Sequence, residues 1–277
     1  MSFRTLDLQA SDLSSHPDLL HQICRREVDL AIVRGAFPVN ELAVATQQLA
    51  GRPDTFDWTP QESRDPNALQ MVLAGESLTP YAGHPTGPDL EHYLRTAARF
   101  RTGCQALLGD FEGTLEALFR KLSGGREVSV PRYTDGRYYH PATIRWLPPG
   151  CRIPLHVGNY FTKTPAYAHL ASLIALEDQL SYFMPMAVPE GGGELVVYTL
   201  EWGDPALPKK ADGRWDEDKV IATYPSESFA PGVGDLLLFN GGRYYHLVSK
   251  VEGARPRCTI GGFLGFSRDM SQTHYWS

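Results

Sequence analysis

The stretch from Glu127 to Phe266 constrains the fold most, because it consists of about eight short β-type runs separated by turn signals. We place these runs at 127–130, 141–147, 151–157, 179–188, 193–201, 220–224, 235–240 with 243–250, and 257–267. Many short antiparallel strands of this kind are typical of a jelly roll or cupin-like double sheet. The sequence therefore predicts a jelly-roll core over residues 126–277.

The first 125 residues have a mainly helical pattern, and we expect them to form a layer on one face of that core. Helices are predicted at 15–28 with Ser15 as cap, from Asn40 onward, at 89–108 and at 110–122, with a short strand at 29–37. A further helix is predicted at 164–176. Residues 51–88 are rich in Gly and Pro and too long for an ordinary loop, so we expect them to cover or border a pocket. The predicted fold is α+β, with residues 1–277 forming a single domain.

Composition excludes several classes of protein. The net charge of −6 and the pI near 5.8 argue against a nucleic-acid binder, which usually carries a basic face. No run of about 18 apolar residues predicts a membrane span, and the N-terminus lacks the pattern of a signal peptide. The four cysteines are scattered and are expected to be reduced thiols. We therefore expect a cytoplasmic protein.

Two histidines are candidate metal ligands, His156 in an apolar, strand-like run and His246 in a second run. Mononuclear iron oxygenases use two histidines and one carboxylate, with open positions opposite. The carboxylate of a His-x-Asp/Glu pair would stand at Gly158, which has no side chain. A metal bound here would therefore keep one more position open, which a small anion could fill. Neutral imidazole suits iron, zinc or copper, and either histidine alone could be an ordinary half-buried residue.

Arg257 and Thr259 follow His246 at a spacing that would return them to the same pocket on an adjacent strand. A guanidinium there could bind a carboxylate in bidentate fashion, and Thr259 would add a hydroxyl on the same face. Arg255 is a competing arginine. Glu190 and Glu194 are the carboxylates most able to replace the missing metal ligand.

These motifs carry a resemblance to a known family. The segment from Pro141 to Ser277 closely resembles the freestanding iron(II)/2-oxoglutarate-dependent halogenases that act on hapalindole- and welwitindolinone-type alkaloids. The matching runs are Pro-Ala-Thr-Ile-Arg (141–145), His-Val-Gly-Asn (156–159), Asp-Gln-Leu-Ser-Tyr-Phe (178–183), Gly-Gly-Glu-Leu-Val-Val-Tyr (192–198), Leu-Glu-Trp (200–202), Pro-Gly-Val-Gly-Asp (231–235), Leu-Leu-Phe-Asn-Gly-Gly-Arg-Tyr-Tyr-His (237–246), Thr-Ile-Gly-Gly-Phe-Leu (259–264) and Tyr-Trp-Ser (275–277). A weaker similarity extends into the first 125 residues.

The resemblance implies a double-stranded β-helix core and a set of site residues. His156 and His246 would bind Fe(II), which 2-oxoglutarate would chelate, and Arg257 would pair with the distal carboxylate of 2-oxoglutarate. Chloride or bromide would occupy the place beside Gly158, and Ser181 matches a family serine near the oxo group that favours halogen transfer. The remaining candidates for cosubstrate binding are Thr259 and Arg145.

The implied activity is O2-dependent chlorination of an unactivated aliphatic carbon, by ferryl hydrogen abstraction and halogen transfer. The substrate would be a free, alkaloid-like small molecule, with no carrier protein. We expect the substrate pocket to be walled by 69–84, including Met71, Val72 and Tyr81, by Ile153 and Phe161, and by a flap at 203–229. Two alternatives are a hydroxylase on the same scaffold and a non-catalytic, cupin-like binding protein.

Overall fold

The computed structural model describes residues 2–61, 70–83 and 89–277. The strands are β1 (Thr5–Gln9), β2 (Leu30–Arg34), β3 (Trp58–Pro60), β4 (Val72–Ala74), β5 (Glu127–Ser129), β6 (Thr143–Leu147), β7 (Ile153–His156), β8 (Leu180–Ala187), β9 (Leu195–Glu201), β10 (Ser226–Phe229), β11 (Leu236–Phe239), β12 (Tyr244–Val248), β13 (Arg257–Phe266) and β14 (Gln272–Trp276). The helices are α1 (Leu19–Cys24), α2 (Val39–Ala50), α3 (Glu91–Leu108), α4 (Phe111–Leu122), α5 (Asn159–Thr162), α6 (Ala168–Leu173) and α7 (Glu217–Thr223).

The strands form two sheets that face each other. The large sheet has the order β1-β2-β11-β8-β13-β6-β4-β3, with β14 beside the second half of β13 and β5 beside β14. The small sheet has the order β10-β9-β12-β7. From β6 to β13 the chain crosses from one sheet to the other at every step except between β9 and β10. This arrangement is an eight-stranded jelly roll, so the predicted core is confirmed.

Alternation along the strands separates the space between the sheets from the outer faces. In β11, Leu236 and Leu238 belong to the cluster that the helices cover, while Leu237 and Phe239 belong to a cluster between the sheets. In β12, Tyr245 and Leu247 pack on the outer face of the small sheet. The alternate residues of β12, which are Tyr244, His246 and Val248, therefore face the interior of the jelly roll.

The predicted N-terminal helical layer is present on the outer face of the large sheet, where α1 to α4 bury their apolar faces. Helix α2 lies on β8, and the Thr46 hydroxyl donates to the Met186 carbonyl oxygen over 3.0 Å. Helix α4 begins where the pattern predicts it, because the Asp110 side chain accepts from the Gly113 amide over 3.1 Å. The fold class is therefore α+β, as predicted.

Several predictions for the N-terminal part were wrong in detail. Strands β1 and β2 extend the large sheet at one edge, while β3 and β4 extend it at the other. The last two lie in the 51–88 segment, where sequence analysis placed no strand. Ser15 ends a short 3-10 turn instead of capping α1, and α2 begins before Asn40, with Pro38 at its N-cap. The parts of this segment at 62–69 and 84–88, which include both ends of the predicted 69–84 pocket wall, lie outside the described residues.

Two further predictions failed in the C-terminal part. Residues 220–224 belong mostly to helix α7 rather than to a strand, because Asp216 caps the helix and Val220 packs on the outer face of the small sheet. The strand in this region is β10, and β14 was not predicted. The helix predicted at 164–176 is present but shorter, as α6 after a 3-10 turn.

None of the described helices is long and apolar enough to cross a membrane. All four cysteines are free thiols, as the sequence predicts.

Candidate metal and cosubstrate site

The jelly roll brings His156 and His246 side by side, with their ring planes tilted by 56°. The register of β7 and β12 pairs these two residues directly, and their ring centroids are 4.1 Å apart. The Nδ1 atom of each ring lies 2.8 Å from the carbonyl oxygen two residues earlier, that of Pro154 or Tyr244. With the Nδ1 proton donated to the backbone, each ring keeps the lone pair of Nε2 for a metal.

Both imidazoles are held in the neutral form that binds a metal. Burial lowers the pKa of His156 below its ordinary value. Burial lowers the pKa of His246 well below its ordinary value, and the neighbouring His156 lowers it further. Phe239 packs its ring against that of His246 at a centroid distance of 4.9 Å and fixes its orientation. This donor set fits a divalent metal held by two imidazoles, with the other positions open.

Gly158 follows His156 by two residues, at the position that carries the carboxylate in a His-x-Asp/Glu pair. Its amide donates to the Gly241 carbonyl oxygen over 2.8 Å, which fixes the turn that follows His156. A Cβ atom on Gly158 would lie 2.9 Å from Gln179 Nε2, 3.0 Å from the Gly241 oxygen and 3.1 Å from Gly242 Cα. Within residues 2–61, 70–83 and 89–277, no cluster of three or more His, Cys, Asp or Glu side chains could hold a metal. The histidine pair therefore has no carboxylate partner there.

Ser181 lies on the same rim. It is on β8, where it pairs with Phe239 of β11, and its hydroxyl lies over Gly241, so a Cβ atom on that glycine would overlap the hydroxyl. Gly241 in turn accepts the amide of Gly158. Ser181 and Gly158 thus both lie against Gly241.

Arg257, Thr259 and Arg145 form a second group on the large sheet. Arg257 is buried and donates from Nη1 to the Thr259 hydroxyl over 3.3 Å, so the two share the face predicted for them. Arg145 of β6 pairs with Thr259 across the strands, which places the three side chains on one face. A cleft of about 280 Å³ borders Arg257 and Phe183, and the segment Gly191–Glu194 also lines it.

This group concentrates positive charge without a matching carboxylate among the described residues. Burial lowers the pKa of Arg257 to about 10, and the nearby Arg145 adds to the effect. Burial also lowers the pKa of Arg145, whose charge acts in the same direction on both histidines. No described salt bridge or hydrogen bond engages the Arg145 side chain. The buried Arg257 and the half-buried Arg145 together favour a bound anion.

The competing candidates lie elsewhere. The Arg255 side chain is 64% exposed and pairs with Glu190 at 3.7 Å on the surface. Glu190 also accepts from the Ala254 amide over 2.8 Å. The Glu194 carboxylate accepts from the Ser249 hydroxyl. Neither glutamate forms a metal-binding cluster with the histidines in the described parts of the chain. Of the two candidate arginines, Arg257 is buried and Arg255 is exposed.

The predicted pocket residues are only partly brought together. Ile153 and Met71 pack in one small cluster, beside Val248. A bulge between β7 and β12 pairs Ile153 with Val248 and His156 with His246, and so puts Ile153 on the same face as His156 although the two are three residues apart.

Two of the other predicted pocket residues, Val72 and Tyr81, are placed differently. On β4, Leu73 rather than Val72 pairs with Arg145, so alternation puts Val72 on the opposite face. The Tyr81 hydroxyl donates to Glu76 over 2.6 Å, away from the histidines. Phe161 packs edge-on against the exposed Tyr160 in α5, directly after the Gly158 turn. We keep Ile153, Met71 and Phe161 as the candidates that line a substrate pocket.

Sequence reasoning gave no role to Gln179, which lies inside the Asp178–Phe183 run. This residue is 1% exposed, and its Nε2 atom would lie 2.9 Å from a Cβ atom on Gly158. The only available signal was a long polar residue directly before a buried strand.

Comparison with known proteins identifies the relatives of this chain. A sequence model of the family described as "Carrier-protein-independent halogenase WelO5" matches residues 2–277. The curated L-gamma-glutamyl-L-propargylglycine hydroxylase of Streptantibioticus cattleyicolor is 32% identical over 87 residues, which are 31% of this chain and 32% of that protein. The chain thus matches about a third of the length of this relative.

Solved structures show the same fold. An N-substituted L-amino acid dioxygenase from Burkholderia ambifaria AMMD superposes with a TM-score of 0.53 at 14% identity, covering 92% of this chain and 89% of that chain. Its complex with alpha-KG gives a TM-score of 0.50 at 13% identity, covering 94% and 90%. Identities this low show a shared fold and nothing further.

Proposed function

The chain belongs to the carrier-protein-independent halogenase family, and from that premise we propose that it is an iron(II)/2-oxoglutarate-dependent halogenase. It would chlorinate or brominate an unactivated aliphatic carbon of a free, alkaloid-like small molecule. The observation that carries the proposal is the facing pair His156 and His246 beside Gly158, with no carboxylate ligand in the described parts of the chain.

The protein groups have separate tasks in this proposal. The Nε2 atoms of His156 and His246 would hold the iron, and the absence of a ligating side chain at Gly158 would leave one coordination position of the metal for a halide. When bound, the iron supplies oxygen activation with decarboxylation of 2-oxoglutarate, hydrogen abstraction from the substrate and halogen transfer. Ser181 would bias the outcome through its hydroxyl.

Arg257 and Thr259 would bind the distal carboxylate of 2-oxoglutarate, and Arg145 would supply further positive charge. The iron(II) ion adds two positive charges to those of the two arginines, so a dianionic cosubstrate and a halide together offset most of the local charge. The Burkholderia dioxygenase, which was solved with alpha-KG, supports this cosubstrate for the shared fold. Because the family is carrier-protein-independent, we propose a free small molecule as substrate.

Substrate placement would decide between halogenation and hydroxylation, since a displacement of about 1 Å can change a rate on the order of 100-fold. The similarity to a curated hydroxylase makes hydroxylation on the same scaffold the second candidate.

The test compares Gly158→Asp with Gly158→Ala. Both variants add a Cβ atom that crowds Gln179 and Gly241, but only aspartate adds a ligand. The wild type is incubated with iron, 2-oxoglutarate, O2, bromide or chloride and a panel of alkaloid-like molecules, and mass spectrometry follows halogen isotope patterns and hydroxylation.

We expect halogenated product from the wild type and none from Gly158→Asp, while Gly158→Ala keeps a measurable fraction. Halogenation by Gly158→Asp at the wild-type level would overturn the assignment of the open position. Hydroxylated product alone, at every halide concentration, would support the hydroxylase.

A further inference from the structure

His156 lies on a short strand at the edge of the small sheet. Strand β7 has only four residues and pairs with β12 on one side, and its register with β12 is interrupted between His246 and Val248. A short edge strand leaves a row of backbone groups unpaired and opens readily without further support. Contacts from outside the sheet therefore help to keep His156 opposite His246.

Glu217 of α7 supplies such a contact on the unpaired edge of β7. Its carboxylate accepts from the Leu155 amide, directly before His156, over 3.3 Å, and it pairs with Arg152 at 2.6 Å. The Arg152 side chain is about half exposed, so the ion pair by itself adds little stability. The Leu155 side chain packs in the same cluster as Val220 of α7. Helix α7 thus covers both the edge and the outer face of β7.

Trp215, two residues before Glu217, holds the chain on the other side of His156. Its ring packs edge-on against that of Tyr160 in α5, at a centroid distance of 5.3 Å. Tyr160 follows His156 by four residues, whereas the backbone amide that Glu217 accepts comes directly before it. The segment 215–217 therefore contacts the chain on both sides of this histidine.

We propose that Glu217 is a positioning residue of the metal site, whose bond to the Leu155 amide holds β7 in place. His156 then stays in register with His246 before the metal arrives. Without this bond, β7 would be ordered in only a fraction of the molecules, and the apparent affinity for the metal falls by that fraction. This inference rests on the proposed function, since it assumes that His156 is a metal ligand.

The test measures affinity for Co(II) without O2 or turnover, by equilibrium dialysis and by the visible d–d absorption of the bound ion. Glu217→Leu removes the acceptor, whereas Glu217→Gln keeps an oxygen that can accept from the Leu155 amide. Asp218→Leu is the matched control, because Asp218 is the next carboxylate in the same turn of α7 and is exposed. Urea unfolding of the metal-free proteins records the stability of each variant.

We expect Glu217→Leu to lower the affinity for Co(II) about 10-fold, as for loss of a hydrogen bond to a charged group, and to change the d–d spectrum. Glu217→Gln should restore most of the affinity and the spectrum, and Asp218→Leu should match the wild type. Lower stability of Glu217→Leu with unchanged affinity and spectrum would show a merely structural role and overturn the inference. Equal losses in Glu217→Gln and Glu217→Leu would also overturn it. Absence of Co(II) binding by the wild type would instead overturn the proposed function.

A measurement on the wild type covers the case in which Glu217→Leu does not fold. Coupling between two sites is reciprocal, so Co(II) binding should slow amide hydrogen exchange in α7 as well as in β7. Mass spectrometry of peptides that cover 153–156 and 215–223 measures the exchange with and without Co(II). Slower exchange in both peptides supports the role of Glu217, and unchanged exchange in 215–223 would overturn it.

Discussion

The buried guanidinium of Arg257 gives a prediction in which stability and ligand binding change in opposite directions. Burial lowers its pKa to about 10, which corresponds to a cost of about 3 kcal/mol for the charged form in the folded protein. Its contacts with the Phe183 ring, 5.2 Å away, and with Thr259 return about 1–2 kcal/mol of that cost. Arg257→Met keeps the apolar part of the side chain and removes the charge. Without ligands, the variant should therefore unfold at the wild-type temperature or above it.

The same variant should lose its response to 2-oxoglutarate. The wild type with Co(II), a redox-inert substitute for iron, should gain about 2.7 kcal/mol when 2-oxoglutarate is present at about 100 times its dissociation constant. Loss of a charge-assisted pair in Arg257→Met should weaken binding by about 10- to 150-fold, which lowers that gain to about 1.4 kcal/mol or less. Differential scanning calorimetry with and without 2-oxoglutarate measures both effects.

Arg255→Met is the matched control, because it makes the same substitution two residues away on an exposed side chain paired with Glu190. It should change neither the stability of the ligand-free protein nor the response to 2-oxoglutarate. The reasoning is refuted if ligand-free Arg257→Met loses several kcal/mol of stability, or if 2-oxoglutarate stabilises it as much as the wild type.

Three further predictions concern other parts of the molecule. Burial lowers the pKa of His140 to about 3, so its contribution to the free energy of unfolding is fully present above pH 6.5 and is lost as the pH drops toward 3, by about 2 kcal/mol at pH 5. In urea unfolding at these pH values, His140→Gln should lose less stability than the wild type. An equal loss would contradict this assignment. Asp235→Asn should lower the free energy of unfolding by about 1–3 kcal/mol in the same assay, because the buried carboxylate accepts from two backbone amides and from Arg34. Asp7→Asn, on the exposed side of Arg34, should lower it by less than about 1 kcal/mol. The reverse order would disprove the assignment. His156→Ala should weaken Co(II) binding in equilibrium dialysis by more than the roughly 100-fold expected for loss of an outer partner, and wild-type affinity would exclude the histidine as a ligand.

The large features of the fold were predictable because they depend on patterns within each segment. Short β-type runs with turn signals predicted the jelly roll, and the helical period predicted α3 and α4 closely. Alternation also predicted that Arg257 and Thr259 share a face, since residues two apart on a strand point the same way. The jelly-roll topology then explains why His156 and His246 meet although they are distant in sequence.

The features that sequence reasoning missed depend on neighbours outside the segment. A bulge sets the face of Ile153, and pairing with β6 sets that of Val72, neither of which a single strand reveals. The apolar run at 220–224 contains β-branched residues, but the cap at Asp216 and the packing of Val220 make it helical. Gln179 acquires its position only when three separate turns meet.

The most direct test of the central claim is a crystal structure of the protein grown without oxygen, with iron, 2-oxoglutarate and bromide. Anomalous scattering recorded on both sides of the bromine absorption edge would locate the halide independently of the iron. We predict a bromide on the metal, with His156 and His246 as the protein ligands and no carboxylate ligand from the position of Gly158. A water molecule or a protein carboxylate at that position, with no bromine signal, would contradict the account.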